Sequence, residues 1–158
     1  MIINKLERII KYNFNNVNLL KEALIHSSYS SKSCKKNKKN YERLEFLGDR
    51  VLGLVLAEYV FHVFPEANEG LLNSYYQKYV SQEYLFNYSK KIHLSNFIKT
   101  QKGDKLDDNK SILSDVVESI IGAIYLDSGF ANCKEFIIKE IIGEGILSSK
   151  PVRHPKTI

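Results

Sequence analysis

Apolar residues recur along this chain at spacings of three and four, and strict alternation is scarce, so the pattern predicts an all-α fold. Over residues 2–12, Ile2, Leu6, Ile9 and Ile10 share one face. Asn16 or Asn18 can cap a second helix carrying Leu19, Leu20, Ala23 and Leu24. From Ser27 to Asn40 there is no periodicity, and Lys32, Lys35, Lys36, Lys38 and Lys39 mark an exposed loop. A long apolar helix is predicted from about Tyr41 to Phe64, stopped by Pro65. Asn68-Glu69-Gly70 reads as a turn, followed by tyrosine-rich helices over 71–80 and 82–91. Residues 99–110 are polar and predict a second loop. A very apolar helix covers about Ser111 to Leu126 and ends near Asp127-Ser128-Gly129. A last amphipathic helix carries Phe136, Ile137, Ile141 and Ile142, and from Ser148 the chain is polar and proline-punctuated. The pattern divides the chain into a domain over 1–147 and a tail over 148–158.

With 158 residues, 44% of them hydrophobic and 26% charged, the chain suits one ordinary domain with a self-sufficient core, not a disordered or collagenous one. A net charge of +5 is compatible with a polyanionic partner. Cys34 and Cys133 do not form a disulfide framework, and a reducing, cytoplasmic setting is expected. No apolar run is long enough to cross a bilayer, and the first residues lack a signal-peptide core, so no membrane partner is expected.

The informative feature is acid inside apolar helices. Glu42, Glu45 and Asp49 stand at i, i+3 and i+7, which places them within an arc of roughly 60° on one helix face. Asp115 and Glu118 stand at i and i+3 among Ile112, Val116, Val117, Ile120, Ile121 and Ile124. Half-buried anions lose hydration and repel, and either basic partners or hard cations relieve them. Arg43 and Arg50 are available to the first set, whereas no basic residue lies between Ser111 and Asp127. All-oxygen ligands without a histidine or cysteine cluster favour Mg²⁺ or Mn²⁺ over zinc. Spacing alone therefore reaches a Mg²⁺-dependent phosphoester enzyme as one hypothesis, beside the plainer reading of solvated helix acids.

The run Glu42-Arg43-Leu44-Glu45-Phe46-Leu47-Gly48-Asp49 resembles the signature of the ribonuclease III catalytic domain. Ser111-Ile112-Leu113-Ser114-Asp115, continuing through Glu118 to Asp127, resembles that family's other carboxylate helix. Ala23-Leu24-Ile25-His26-Ser27-Ser28, Phe64-Pro65 and Glu69-Gly70 are smaller matches, and the resemblance covers about residues 3–147. It implies an all-α helical domain that dimerises and cuts double-stranded RNA, leaving 5′-phosphate and 3′-hydroxyl ends with short 3′ overhangs. That activity would serve rRNA and other structured-RNA processing. By motif position it implies Glu45, Asp49, Asp115 and Glu118 as metal-site acids, with Mg²⁺ as cofactor and Mn²⁺ able to substitute. Asp49 and Glu118 would be least replaceable in catalysis, with Glu42 joining them as an accessory acid and Glu69 a further accessory near the cleft. Phe46 and Leu47 would lie at the dimer interface.

The sequence also departs from the family pattern. His154-Pro155-Lys156-Thr157 resembles the start of a linker to a double-stranded-RNA-binding domain. Tyr76 stands where an arginine is common, and residues 102–110 lack a stretch rich in glycine and arginine. The 32–39 lysines resemble an insertion; Lys35, Lys36, Lys38 and Lys39 are either a phosphate grip or a solvated loop. His26 either packs in the core or touches the signature helix or substrate. Tyr75, Tyr76, Tyr79, Tyr84 and Tyr88 are expected to pack rather than stack on bases. Two rival readings are a non-catalytic RNA-binding or ribosome-assembly module of the same fold, and a phosphohydrolase acting on a small nucleotide.

Overall fold

A computed structural model describes residues 2–26, 35–100 and 106–143, with the backbone alone at 35–40. The tail from Ser148, Cys34 and Lys32 lie outside the described residues. Among the described residues, seven α-helices follow in order: α1 (Ile2–Ile10), α2 (Val17–Ala23), α3 (Lys35–Val63), α4 (Glu69–Val80), α5 (Gln82–Lys91), α6 (Lys110–Ser128) and α7 (Phe130–Phe136). A 3-10 turn spans Leu94–Phe97, and a π-helical turn, Ile137–Ile142, continues α7. Among the described residues there is no named strand, only an isolated parallel bridge between Ile25 and Lys99.

Asparagine and serine set the helix starts. Asn16, not Asn18, caps α2 by accepting from the Asn18 amide at 3.1 Å. Asn68 caps α4 through the Leu71 amide at 2.9 Å, and Asn109 caps α6 through the Ile112 amide at 3.0 Å. Each cap satisfies an amide that the first helical turn leaves without a partner. The expected turn Asn68-Glu69-Gly70 is therefore the cap and opening of α4, with acidic Glu69 at the favourable end of the helix dipole. Gly129, at φ +91°, ends α6 in a conformation that side chains disfavour.

The expected loop over Ser27–Asn40 is corrected at its second half: α3 begins at Lys35, so Lys35, Lys36, Lys38 and Lys39 are on a helix. No glycine or proline interrupts 35–40, lysine is a good helix former, and extending a nucleated helix is easy. Ile2 is corrected too: it is 60% exposed, while Leu6 and Ile10 of the same helix are buried. The expected last helix is two pieces, and its Phe136, Ile137, Ile141 and Ile142 are all buried as the pattern required.

The core is the contact of α3 with α6, the most extensive helix pair. Leu52, Val55 and Leu56 meet Val116, Ile120, Ile121 and Ile124 in one buried cluster. Each such side chain contributes roughly 1.5–3 kcal/mol by leaving water. Two glycines let the helices touch. A Cβ at Gly48 would overlap the Glu118 carbonyl and lie 2.9 Å from the Gly122 nitrogen. A Cβ at Gly122 would overlap the Leu44 carbonyl. This close crossing falls in the middle of both acidic segments.

The N-terminal helices are latched onto α6. The Asp127 carboxylate accepts from the Tyr12 hydroxyl at 2.7 Å and from the Asn15 and Asn16 amides at 2.8 and 2.7 Å. Buried Ser119 donates to the Ala23 carbonyl at 2.7 Å, satisfying the end of α2. The tyrosines of α4 and α5 pack as expected. Tyr75 stacks on Phe64 at 4.1 Å, Tyr79 meets Tyr84 edge-on, and Tyr84 donates to the Ile141 carbonyl at 3.1 Å. Tyr76 places its hydroxyl against Gly53 of α3. Cys133 is fully buried, and burial pushes its thiol up to about 12, so it is unreactive.

Candidate metal centre

The backbone contact at Gly48 and Gly122 carries the acids of two helices into one space. Glu45, Asp115 and Glu118 each offer a carboxylate oxygen, and the three oxygens lie within 4.8 Å of one another. Glu45 shares a hydrogen bond with Asp115, and Glu118 shares one with Asp49, so each pairing joins α3 to α6. Two carboxyl groups can share a hydrogen bond only if one keeps its proton.

That proton retention has a physical cause. Burial, then the Asp115 charge and hydrogen bond, then Glu42 and Asp49, push the Glu45 carboxyl up to about 7. Burial, then the Asp49 hydrogen bond and charge, then Glu45 and Asp115, push Glu118 up to about 9. Beneath them lies Tyr41, fully buried, its hydroxyl without a hydrogen-bond partner among the described residues. Burial and the charges of Glu45, Asp115, Glu118 and Glu42 raise that hydroxyl far above its ordinary value.

The sequence grouped five acids, and the structure gathers them unequally. Glu45, Asp115 and Glu118 form the inner three. Asp49 touches Glu118 on one side and pairs with Arg50 at 3.1 Å on the other. That ion pair is exposed, and such pairs contribute about 0–1 kcal/mol. Glu42 is exposed one turn before Glu45 and borders a groove of about 650 Å³ with Arg43, Phe46, Leu47, Leu19 and Leu126. Phe46 is 60% exposed there, with the Arg50 guanidinium over its ring at 4.1 Å. Glu69 is not part of the cluster within this chain. It lines a separate pocket of about 570 Å³ with Phe61 and Tyr76. Along α3, Phe61 is sixteen residues beyond Glu45, about 24 Å at 1.5 Å per residue. The backbone of Lys35–Lys39 is helical, and its side chains lie outside the described residues.

Three features of the site were not read from sequence. His26 places Nε2 3.9 Å from Asp115 Oδ2, on the α6 side rather than against α3 alone. Tyr41, the first residue of the helix that the sequence predicts, lies buried beneath the acids. The glycine pair sets the crossing, and glycines inside two apolar helices, Gly48 and Gly53 in one and Gly122 in the other, are the signal in the sequence.

The donor set fits a hard divalent cation. All three near groups are carboxylate oxygens, with no nitrogen or sulfur donor among them. Oxygens around Mg²⁺ at 2.0–2.1 Å stand about 3–4 Å apart, so closing the cluster asks for small side-chain adjustments.

Comparison with known proteins agrees with this geometry. A family model described as Ribonuclease-III-like matches residues 16–144. The chain is 39% identical over 139 residues to ribonuclease 3 of Borreliella burgdorferi, covering 86% of this chain and 56% of that protein. It is 44% identical over 140 residues to ribonuclease 3 of Ehrlichia ruminantium, covering 87% of this chain and 61% of that protein. The chain thus spans little more than half the length of these relatives. Among solved structures, the nuclease domain of ribonuclease III from Campylobacter jejuni superposes with a TM-score of 0.79 at 37% identity, covering 89% of this chain and 96% of that one. That structure was described for flexibility in a region involved in dimer formation.

Proposed function

This chain belongs to the ribonuclease III family, and from that premise we propose that it is a Mg²⁺-dependent endoribonuclease that cleaves double-stranded RNA as a homodimer. Its products carry 5′-phosphate and 3′-hydroxyl ends with short 3′ overhangs, and its role is maturation of rRNA and other structured RNAs in the cytoplasm. The observation that carries this reading is the meeting of Glu45, Asp115 and Glu118, from two helices, with oxygens within 4.8 Å.

Glu45, Asp115 and Glu118 would hold the cation, with Asp49 completing the site beside Glu118 and Glu42 standing at its outer edge. A bound Mg²⁺ supplies Lewis acidity toward water and phosphate, and Mn²⁺ can replace it. The chain's own groups do the rest. Asp49 lies beside Glu118 and is partly open to solvent, so it joins the inner acids to the surface of the site. The close α3–α6 crossing fixes the acids on rigid helices, which holds them in register without loop motion. Recognition of a duplex relies on its phosphates and A-form shape, because the deep major groove hides the base edges. The net charge of +5 favours such binding and makes it sensitive to salt.

A twofold dimer presents two such clusters, one for each strand. Exposed Phe46, with Leu47 and Leu126 beside it, supplies the apolar contact for that dimer. A non-catalytic module has no use for acids held at raised pKa in an apolar crossing. The test is cleavage of a labelled RNA duplex with Mg²⁺ and with EDTA, followed by end analysis. Double-strand cutting that requires the metal supports the proposal; binding without cutting, at any Mg²⁺ concentration, rejects it.

A further inference from the structure

We infer that His26 is a positioning residue for Asp115, turning that carboxylate toward the cation it shares with Glu45 and Glu118. This rests on the reading of the acid cluster as a divalent-cation site. His26 is the residue that follows α2 and its bridge. Its amide donates to the Lys99 carbonyl at 3.0 Å, and the Lys99 amide donates to the Leu24 carbonyl at 2.9 Å. These two bonds pin the backbone on both sides of Ile25. The imidazole, with the side chain only 12% exposed, lies edge-on to the ring of Tyr41 at 5.3 Å and 64°. Its Nε2 then faces Asp115 Oδ2 at 3.9 Å. That is too long for a hydrogen bond and within reach of an ion pair.

The neighbours make the pairing informative. α6 has no lysine or arginine between Ser111 and Asp127, and among the described residues His26 is the nitrogen that the fold brings to Asp115. It enters from outside the acid cluster, on a segment unrelated in sequence to either acidic helix. A group that fixes a ligating carboxylate from behind commonly changes metal affinity 10–100-fold.

The experiment titrates the RNA-free full chain with Mg²⁺ by calorimetry and with Mn²⁺ by electron paramagnetic resonance. The variants are His26→Phe, which keeps the ring on Tyr41 without a donor, and His26→Gln, which keeps an N–H without the ring. The expected result is a roughly tenfold weaker dissociation constant for the Phe variant at an unchanged metal-free melting temperature. The Gln variant regains most of that affinity, and raised Mg²⁺ returns the Phe variant's cleavage kcat to the wild-type value. If the Phe variant binds as tightly as wild type, or if both variants lose affinity only as far as they lose stability, His26 merely packs and the inference is overturned. If wild type itself binds neither ion, the cation reading has failed, and this inference with it.

Discussion

Helix α6 carries acids in its first half and in its last turn, and the two sets live in opposite conditions. Asp127, in the last turn, faces the unfavourable end of the helix dipole. Burial pushes its carboxyl up, yet the Tyr12 hydroxyl and the Asn15 and Asn16 amides outweigh burial and hold it below the usual range. Asp115 and Glu118, in the first half of the helix, meet the carboxylates of Glu45 and Asp49, and the His26 imidazole stands 3.9 Å from Asp115. There the carboxyls of Glu45 and Glu118 are pushed to about 7 and about 9. A satisfied acid is an element of the fold. A set of unsatisfied acids, maintained inside an apolar crossing, opposes the fold until something positive joins it. The difference separates structure from function on a single helix.

The sharpest way to break the comparison is to remove the unsatisfied acids. Asp49→Asn or Glu118→Gln should lower cleavage on the order of 10³-fold in a single-turnover assay, with dimer and helical content intact. Equal cutting by either variant would show that the role assignment is wrong. Next in size is the crossing itself. Gly122→Ala or Gly48→Ala drives a methyl into a backbone carbonyl, so chemical denaturation should report a loss of about 3 kcal/mol, and cleavage should fall with it.

On the satisfied side, Asp127→Ala leaves three donors without their acceptor. It should cost about 2 kcal/mol in denaturant titrations, while kcat per folded molecule stays near wild type. The two sets also respond to pH with opposite signs. Glu45 and Glu118 have folded values above the ordinary 4.5, so the metal-free native protein keeps protons that the unfolded chain releases. Their contribution is full below about 4.5 and is lost as pH rises toward 9. The Asp127 value is lowered from 3.8, so its contribution is present above that pH and lost on acidification. Melting in EDTA from pH 5 to pH 9 should therefore show a decline of a few degrees. Mg²⁺ should remove the decline, and Glu118→Gln should flatten it. The smallest effect is expected at Glu69, which lies in its own pocket: Glu69→Gln should change cleavage by less than about tenfold.

Much of this was legible in sequence because helical periodicity and acid spacing report the same geometry. Ile112, Val116, Val117, Ile120 and Ile124 marked α6 as buried, and Asp115 and Glu118 stood out against them. Helix ends were less legible. The lysine run reads as a loop because it lacks apolar residues, yet a long helix extends through Lys35 without needing any. The approach of His26 to Asp115 was hidden for another reason. It depends on the long-range bridge between Ile25 and Lys99, which no local pattern encodes. Glu69 illustrates the converse: the family resemblance implies an accessory acid near the cleft, and within this chain the length of α3 separates it from the three inner acids.

The central claim is that Glu45, Asp115 and Glu118 together hold a hard divalent cation. Anomalous diffraction from crystals grown with Mn²⁺ tests it most directly. The account predicts a peak within coordination distance of all three carboxylates in each subunit, lost in Glu118→Gln. Crystals at saturating Mn²⁺ with no peak among the three acids, and ions elsewhere on the surface, would contradict it.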